Sequence, residues 1–452
     1  MDPQHRILIV SYLFPPNGGI AVQRALSFAK YLPPLGWDVH VLKGRNASGP
    51  VQDPGLCRHI PPQVRVHGAF TPEIPFEFRH RVWKILSRSR NGQRTANALC
   101  ASKKAGSPAP VSTSAGGPSL AARFARRILC PEPEILWTPF AFRKACGIVQ
   151  REKIGTVLVT VPPFSILTVG ATIKRRFPNI RLISDFRDEW LGFYLKDFEY
   201  QNGDYTRRRA EAIERESVEA SDLVLSMTET SRETIRARYP EQPERKFACL
   251  PNGYDPEVFE GFQPRPHEGS EIVVTHVGTV YKTASPKYYL DALDALPEAI
   301  RGRFETRFVG RIVEDQRAVL EDRKSRIKVM GFMTQEQALR QIEETDFLLL
   351  TMTNEISLPG KLFEYLATGK RILALAAPDS EVARIVAETR AGWCADPFDP
   401  EAVQAMLLRA AEERDTFVRS SWPPSGPDWD KIRRYERPRL AAELGELIIA
   451  RA

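Results

Sequence analysis

The residues best suited to chemistry lie in Ser357-Leu358-Pro359-Gly360-Lys361-Leu362-Phe363-Glu364-Tyr365, which runs on to Gly369. Pro359 fits a helix start and Gly369 a helix end, so Lys361 and Glu364, three positions apart, share one face of a first turn. A cation beside the free N–H groups of the helix start, Gly360 to Leu362, suits a diphosphate. A carboxylate one turn on suits a ribose diol, because it accepts from both hydroxyls. The plain alternative is a surface salt bridge on an ordinary helix.

Other clusters carry weaker signals. Asp185-Phe186-Arg187-Asp188-Glu189 crowds three carboxylates around one Arg. Like charges raise a carboxyl pKa and an Arg lowers one, so Asp185 and Asp188 are candidates for a general base or for orienting a hydroxyl; a helix cap with a local ion pair is the other reading. Gly18-Gly19 opens a helix, where paired glycines let backbone N–H groups approach an anion. Gly278-Thr279 with Lys282, then Arg311, then Phe332 follow strand-like runs and could line a phosphate or base pocket, or be loop turns. The only D-x-D, Asp428-Trp429-Asp430, sits before a terminal helix and reads as a cap rather than a metal site.

Elements must place these residues at strand ends. Short aliphatic runs alternate with stretches of helical period, the pattern of βαβ units and parallel sheets. Strands are expected at Ile7–Val10, Asp38–Leu42, Thr156–Val161, Ile180–Ser184, Leu223–Ser226 and Phe247–Leu250. A second series follows at Ile272–Val277, Arg307–Val309, Ile327–Met330, Phe347–Leu350, Ile372–Leu375 and Gly392–Ala395. A linker is expected over Pro251–Gly269, and one terminal helix from Asp430 to about Ala450. The fold class is α/β: two Rossmann-like domains with parallel sheets facing across a cleft, ligands lying at the carboxyl ends of the strands.

Length and charge narrow the function classes. The chain has 452 residues, 42% hydrophobic and 27% charged, with net charge +8. The excess is local: Phe78–Cys130 holds eleven Lys and Arg and no acid, and removing those eleven from 64 leaves 53 against 56 Asp and Glu. A general nucleic-acid coat is therefore excluded and no nucleic-acid partner is expected. Six scattered cysteines give no zinc spacing and read as reduced. The N-terminus does not read as a signal peptide, and no run is long enough to span a membrane.

Five segments in order carry a resemblance: Pro15-Pro16-Asn17-Gly18-Gly19 with Gln23-Arg24, Val161-Pro-Pro-Phe-Ser165, Asp185-Phe-Arg-Asp-Glu-Trp190, Pro251-Asn-Gly-Tyr-Asp255 and Lys361-Leu-Phe-Glu-Tyr365. The chain resembles family 4 retaining glycosyltransferases of GT-B architecture, particularly bacterial enzymes of surface-polysaccharide biosynthesis. The likeness extends over nearly all residues except 85–120. It implies a hexose-type transfer from a nucleotide-sugar donor to a glycan or lipid-linked acceptor. Residues 1–255 would bind acceptor, 270–421 would bind donor, and the helix within 428–452 would pack back toward the first domain. Glu364 would hold the ribose, Lys361 and Gly360 the leaving diphosphate, with Gly18-Gly19 near donor phosphate and acceptor. No cofactor is implied, the nucleotide sugar being substrate, and no metal.

The sequence departs from the family twice. Eight positions before Glu364 stands Ile356 where relatives often carry glutamate, so Glu355, displaced by one, joins Asp185 and Asp188 as a catalytic candidate. Thr279 stands where many relatives have Arg, leaving Lys282 and Arg311 as substitutes. A GT-B sugar-nucleotide epimerase or phosphorylase would share the donor site, and a non-catalytic protein that binds nucleic acid would need only the basic segment. That segment, residues 78–130, includes a basic amphipathic pattern over Leu120–Leu129 suited to an anionic membrane surface. A cytoplasmic protein with a peripheral hold on the inner membrane is the corresponding expectation; a core-packed helix with a solvated basic face is its rival.

Overall fold

A computed structural model describes residues 5–47, 49, 51–72, 127–194, 204–265, 267–354, 358–417 and 426–450. Glu355 and most of the basic segment, including residues 120–126 of the amphipathic pattern, lie outside the described residues. The chain divides into two compact units, Met1–Pro251 with Ala441–Ala452, and Asn252–Leu440.

The first unit is a seven-stranded parallel sheet. Its strands are β1 (Arg6–Val10), β2 (Asp38–Gly44), β3 (Arg65–Ala69), β4 (Thr156–Val161), β5 (Arg181–Phe186), β6 (Leu223–Ser226) and β7 (Phe247–Cys249), in the order β3-β2-β1-β4-β5-β6-β7. The central strands β1 and β4 are rich in aliphatic residues because both faces are covered by helices; Ile7, Leu8, Ile9, Val157, Leu158 and Val159 have no exposure. Helices α1 (Ile20–Tyr31), α2 (Thr138–Glu152), α3 (Leu167–Arg176), α4 (Asp204–Ala220) and α5 (Glu229–Arg238) make the connections. Strand β3 and helix α2 are additional to the expected elements. The strand is an edge piece, Arg-Val-His-Gly-Ala, largely exposed and without alternation.

The second unit repeats the scheme with six parallel strands: β8 (Ile272–Val277), β9 (Phe304–Val309), β10 (Arg326–Gly331), β11 (Phe347–Thr351), β12 (Arg371–Leu375) and β13 (Gly392–Ala395), ordered β10-β9-β8-β11-β12-β13. Each strand order reverses beside its first strand, between β1 and β4 and between β8 and β11. That switch point opens a crevice at the carboxyl ends. Helix α6 (Gly360–Thr368) comes next in the chain after β11. Pro359 precedes it, and Gly369 closes it in the left-handed conformation at φ 67°. Its Leu362, Phe363 and Leu366 are buried against Leu348, Leu350 and Ile372, which fixes how the helix start is presented.

The terminal helix is not continuous. Trp429–Ile432 forms one turn, Arg433–Tyr435 is a 3-10 turn, and a new helix runs Arg437–Ala450. A single helix would need an amide at Pro438 to donate to Arg434, and proline has none. The break is used: the Tyr254 amide donates to the Tyr435 carbonyl at 3.0 Å and the Arg437 amide to Tyr254 at 2.9 Å.

Candidate functional site

In the second unit the strand ends of β8, β9 and β10 each finish on a glycine with positive φ: Gly278 at 123°, Gly310 at 128° and Gly331 at 74°. These turns stack edge to edge, with the Gly278 amide donating to Val309 at 2.8 Å and the Gly310 amide to Gly331 at 2.7 Å. A Cβ on Gly310 would stand 2.4 Å from the Gly278 carbonyl oxygen, so only glycine fits. The result is a backbone shelf without side chains at the carboxyl edge of the sheet.

Lys361 reaches that shelf. A Cβ on Gly278 would lie 3.4 Å from the Lys361 Nζ, and Nζ is 3.1 Å from Nε2 of His276. Burial pushes the ammonium down to about 8, with Glu364 opposing the shift. Burial and the neighbouring lysine hold His276 well below its usual range, so its ring is neutral. Glu364, on the same helix face, is raised by burial against the pull of Arg437 and Lys361. No hydrogen bond among the described residues ends on its carboxylate. Pro359 supplies no side-chain cap, which leaves the helix start and Lys361 as a joint positive pole.

The other candidates of this unit fall into two groups. Thr279, Lys282 and Arg311 are exposed at the ends of β8 and β9, and Phe332, next to Gly331, is 84% exposed and presents a bare ring. Leu362 faces the other way: its side chain is fully buried and its amide donates to Pro359 at 3.0 Å. His276 was not among the residues singled out by sequence. Its signal was a lone ring nitrogen pair in the aliphatic strand Ile-Val-Val-Thr-His-Val.

In the first unit the carboxylate cluster separates by environment. Asp185 is fully buried and gripped by Arg24, whose Nε lies 2.8 Å from one oxygen and whose terminal nitrogen lies 2.7 Å from the other. Arg24 also donates to the carbonyls of Leu250 and Pro251, each at 3.0 Å. Asp185 thus has both oxygens engaged by Arg24. Asp188 is only half-buried, its carboxyl is raised by burial against the charge of Arg187, and no ion pair or hydrogen bond among the described residues engages it. Arg187 donates through Nε to Val161 at 2.9 Å and also binds the Ala21 carbonyl, tying this loop to the first turn of α1. Gly18 and Gly19 precede that turn. Gly19 has φ 81°, and Gly18 donates its amide to Val51 at 2.9 Å, where a Cβ would press on Asp53 at 2.9 Å. Asp428 caps its helix, accepting from the Lys431 amide at 3.3 Å. Among the described residues no cluster of three or more His, Cys, Asp or Glu could hold a metal ion, and no helix is long and apolar enough to cross a membrane.

Two parallel-sheet units with this strand order define the GT-B fold. Residues 271–413, all inside the second unit, match the family model described as glycosyl transferases group 1. The whole chain is similar in structure to sucrose-phosphate synthase from Thermosynechococcus elongatus, at 13% identity over 98% of each chain with a TM-score of 0.62. It is likewise similar to HepE from Anabaena in complex with UDP, at 13% identity over 98% of this chain and 100% of that one with a TM-score of 0.59. A third similar structure is WaaG, a glycosyltransferase involved in lipopolysaccharide biosynthesis, at 14% identity over 98% and 99% of the two chains with a TM-score of 0.57. Sequence comparison with curated proteins gives no match.

Proposed function

We propose that this protein is a retaining glycosyltransferase that moves a hexose-type sugar from a nucleotide-sugar donor to a glycan or lipid-linked acceptor, in the building of a cell-surface polysaccharide. The observation that carries the reading is the half-buried Lys361 ammonium at the start of an uncapped helix, beside the glycine shelf and one turn from Glu364, on whose carboxylate no hydrogen bond among the described residues ends. The match of residues 271–413 to glycosyl transferases group 1 supports it. HepE is solved with UDP and with UDP-glucose, which supports a nucleotide sugar as the ligand class.

In this reading the bond between the sugar C1 and the diphosphate oxygen breaks, and the acceptor oxygen bonds to C1 on the same face. The acceptor proton passes to a leaving phosphate oxygen. Lys361 and the helix start stabilise the charge that grows on the diphosphate, a preorganised electrostatic contribution. That charge stands in place of a divalent metal. Glu364 accepts from the ribose hydroxyls, Phe332 offers its face to the base, and Lys282 and Arg311 supply further cations near the phosphates. Asp188 accepts a hydrogen bond from the acceptor hydroxyl, with Glu355 as a further carboxylate. Residues 78–130 give a peripheral hold on an anionic membrane, on the cytoplasmic side.

A thermal-shift screen of UDP-, GDP- and ADP-sugars tests the donor site. The best ligand of the wild-type protein should lose its stabilisation in Lys361→Ala and Glu364→Ala. An unchanged shift in both variants would remove the donor site from this helix.

A further inference from the structure

We propose that His276 is the positioning residue for the leaving-group cation: its Nε2 lone pair fixes the Lys361 ammonium against the end of the sheet. The proposal rests on the donor-site reading above and assigns a role to a residue outside the expected set.

The geometry allows one direction of hydrogen bonding. Nδ1 of His276 lies 3.1 Å from the Leu349 carbonyl oxygen, which can only accept, so Nδ1 carries the hydrogen. In a neutral imidazole the other nitrogen then bears the lone pair. That nitrogen is 3.1 Å from Lys361 Nζ, which can only donate. The chain of donors therefore runs from Lys361 to His276 to Leu349, from α6 through β8 to β11. It crosses the pair of strands at which the strand order reverses.

His276 is 1% exposed, and its ring stands against Phe308 of β9 at 6.0 Å between centroids. A lysine has four flexible side-chain bonds and loses much rotamer entropy when ordered. Tethering it to a packed ring removes that cost before ligand arrives. One of three ammonium hydrogens goes to His276, leaving two for phosphate oxygens. Of the other groups near Lys361, Glu364 lies on its own helix and faces Arg437. Tyr365 accepts the Val277 amide at 2.8 Å. Among the described residues, His276 alone accepts a hydrogen bond from Lys361.

The test pairs His276→Phe, which keeps a ring and removes the acceptor, with His276→Gln, whose amide oxygen restores one. Lys361 reactivity toward acetic anhydride is titrated against pH by mass spectrometry without nucleotide, and UDP and GDP affinities are measured by calorimetry. Losing an acceptor disfavours the charged amine, so the Lys361 midpoint should move to lower pH in His276→Phe and return in His276→Gln. The affinity of the tighter nucleotide should fall about tenfold or more in His276→Phe and recover to within about threefold in His276→Gln. If His276→Phe does not fold, His276→Asn, which reaches only the Nδ1 position, should behave as His276→Phe is expected to. An unmoved midpoint, or His276→Gln resembling His276→Phe, overturns the proposal. Lys361→Ala with unchanged nucleotide affinity would instead overturn the donor-site reading, while the labelling result still decides the contact.

Discussion

Arg24 holds both oxygens of Asp185, at 2.7 and 2.8 Å, with neither side chain more than 5% exposed. Three residues later Asp188 carries no such partner among the described residues. One four-residue stretch thus contains a carboxylate held by an arginine and one with no such contact among the described residues. Asp185→Asn removes the carboxylate that holds the buried Arg24 guanidinium, which should cost about 3–5 kcal/mol in urea unfolding.

Asp188→Asn should behave in the opposite way. Its carboxyl is raised because burial penalises the charge, so neutralising it should leave stability within about 1 kcal/mol or improve it. Sugar transfer should fall by about 10²-fold if this carboxylate orients the acceptor hydroxyl. Equal stability losses in the two variants would contradict the division of roles.

The glycine shelf makes a graded prediction. At Gly310 an added Cβ meets the Gly278 carbonyl at 2.4 Å, and alanine should cost more than the roughly 1 kcal/mol of left-handed backbone alone. At Gly331 nothing lies within 4 Å of the added Cβ, so only that backbone cost, about 1 kcal/mol, should appear. Gly278→Ala should in addition weaken nucleotide binding, since its Cβ abuts Lys361. Urea midpoints that rank Gly331→Ala worse than Gly310→Ala would refute this geometry.

Glu214 predicts a pH dependence in the first unit. It is fully buried, accepts from Arg238 at 2.9 Å and Tyr239 at 3.0 Å, and is pushed up to about 7 by burial, with Arg238 opposing. The folded protein therefore keeps this proton over a range in which the unfolded chain, at 4.5, has released it. That contribution to stability is complete below the unfolded value and is lost as pH rises through about 7, by about 1.4 kcal/mol per unit of pH at most. Glu214→Gln lacks this slope. Unfolding free energies of the two proteins should diverge between pH 5 and 7.5 in favour of the variant, and a constant difference would be contrary.

Much of this was legible in the sequence, for identifiable reasons. Buried parallel strands declare themselves as aliphatic runs, and Pro359 and Gly369 mark both ends of the helix that carries Lys361 and Glu364. Edge strand β3 was hidden because exposure on both faces leaves no alternation, and helix α2 because Thr138–Glu152 mixes cysteine, glycine and bases. The Arg24 partner of Asp185 was not legible because it lies 161 positions away, a distance that no local period records. The spacing places the Leu362 amide at the helix start, and its side chain lies in the core. His276 was silent because a histidine in an aliphatic strand looks the same whether it packs or holds a cation.

The most direct measurement is transfer itself. The best nucleotide sugar of the screen, labelled in the sugar, is incubated with lipid-linked glycan extract in excess EDTA. Nucleotide diphosphate release and the anomeric configuration of the product are then followed for wild-type protein and Lys361→Ala. A retaining, metal-independent transfer driven by Lys361 should give release that depends on acceptor and survives EDTA, a product with retained configuration, and a loss of about 10²-fold or more in Lys361→Ala. Full turnover in Lys361→Ala, or an inverted product, would contradict it.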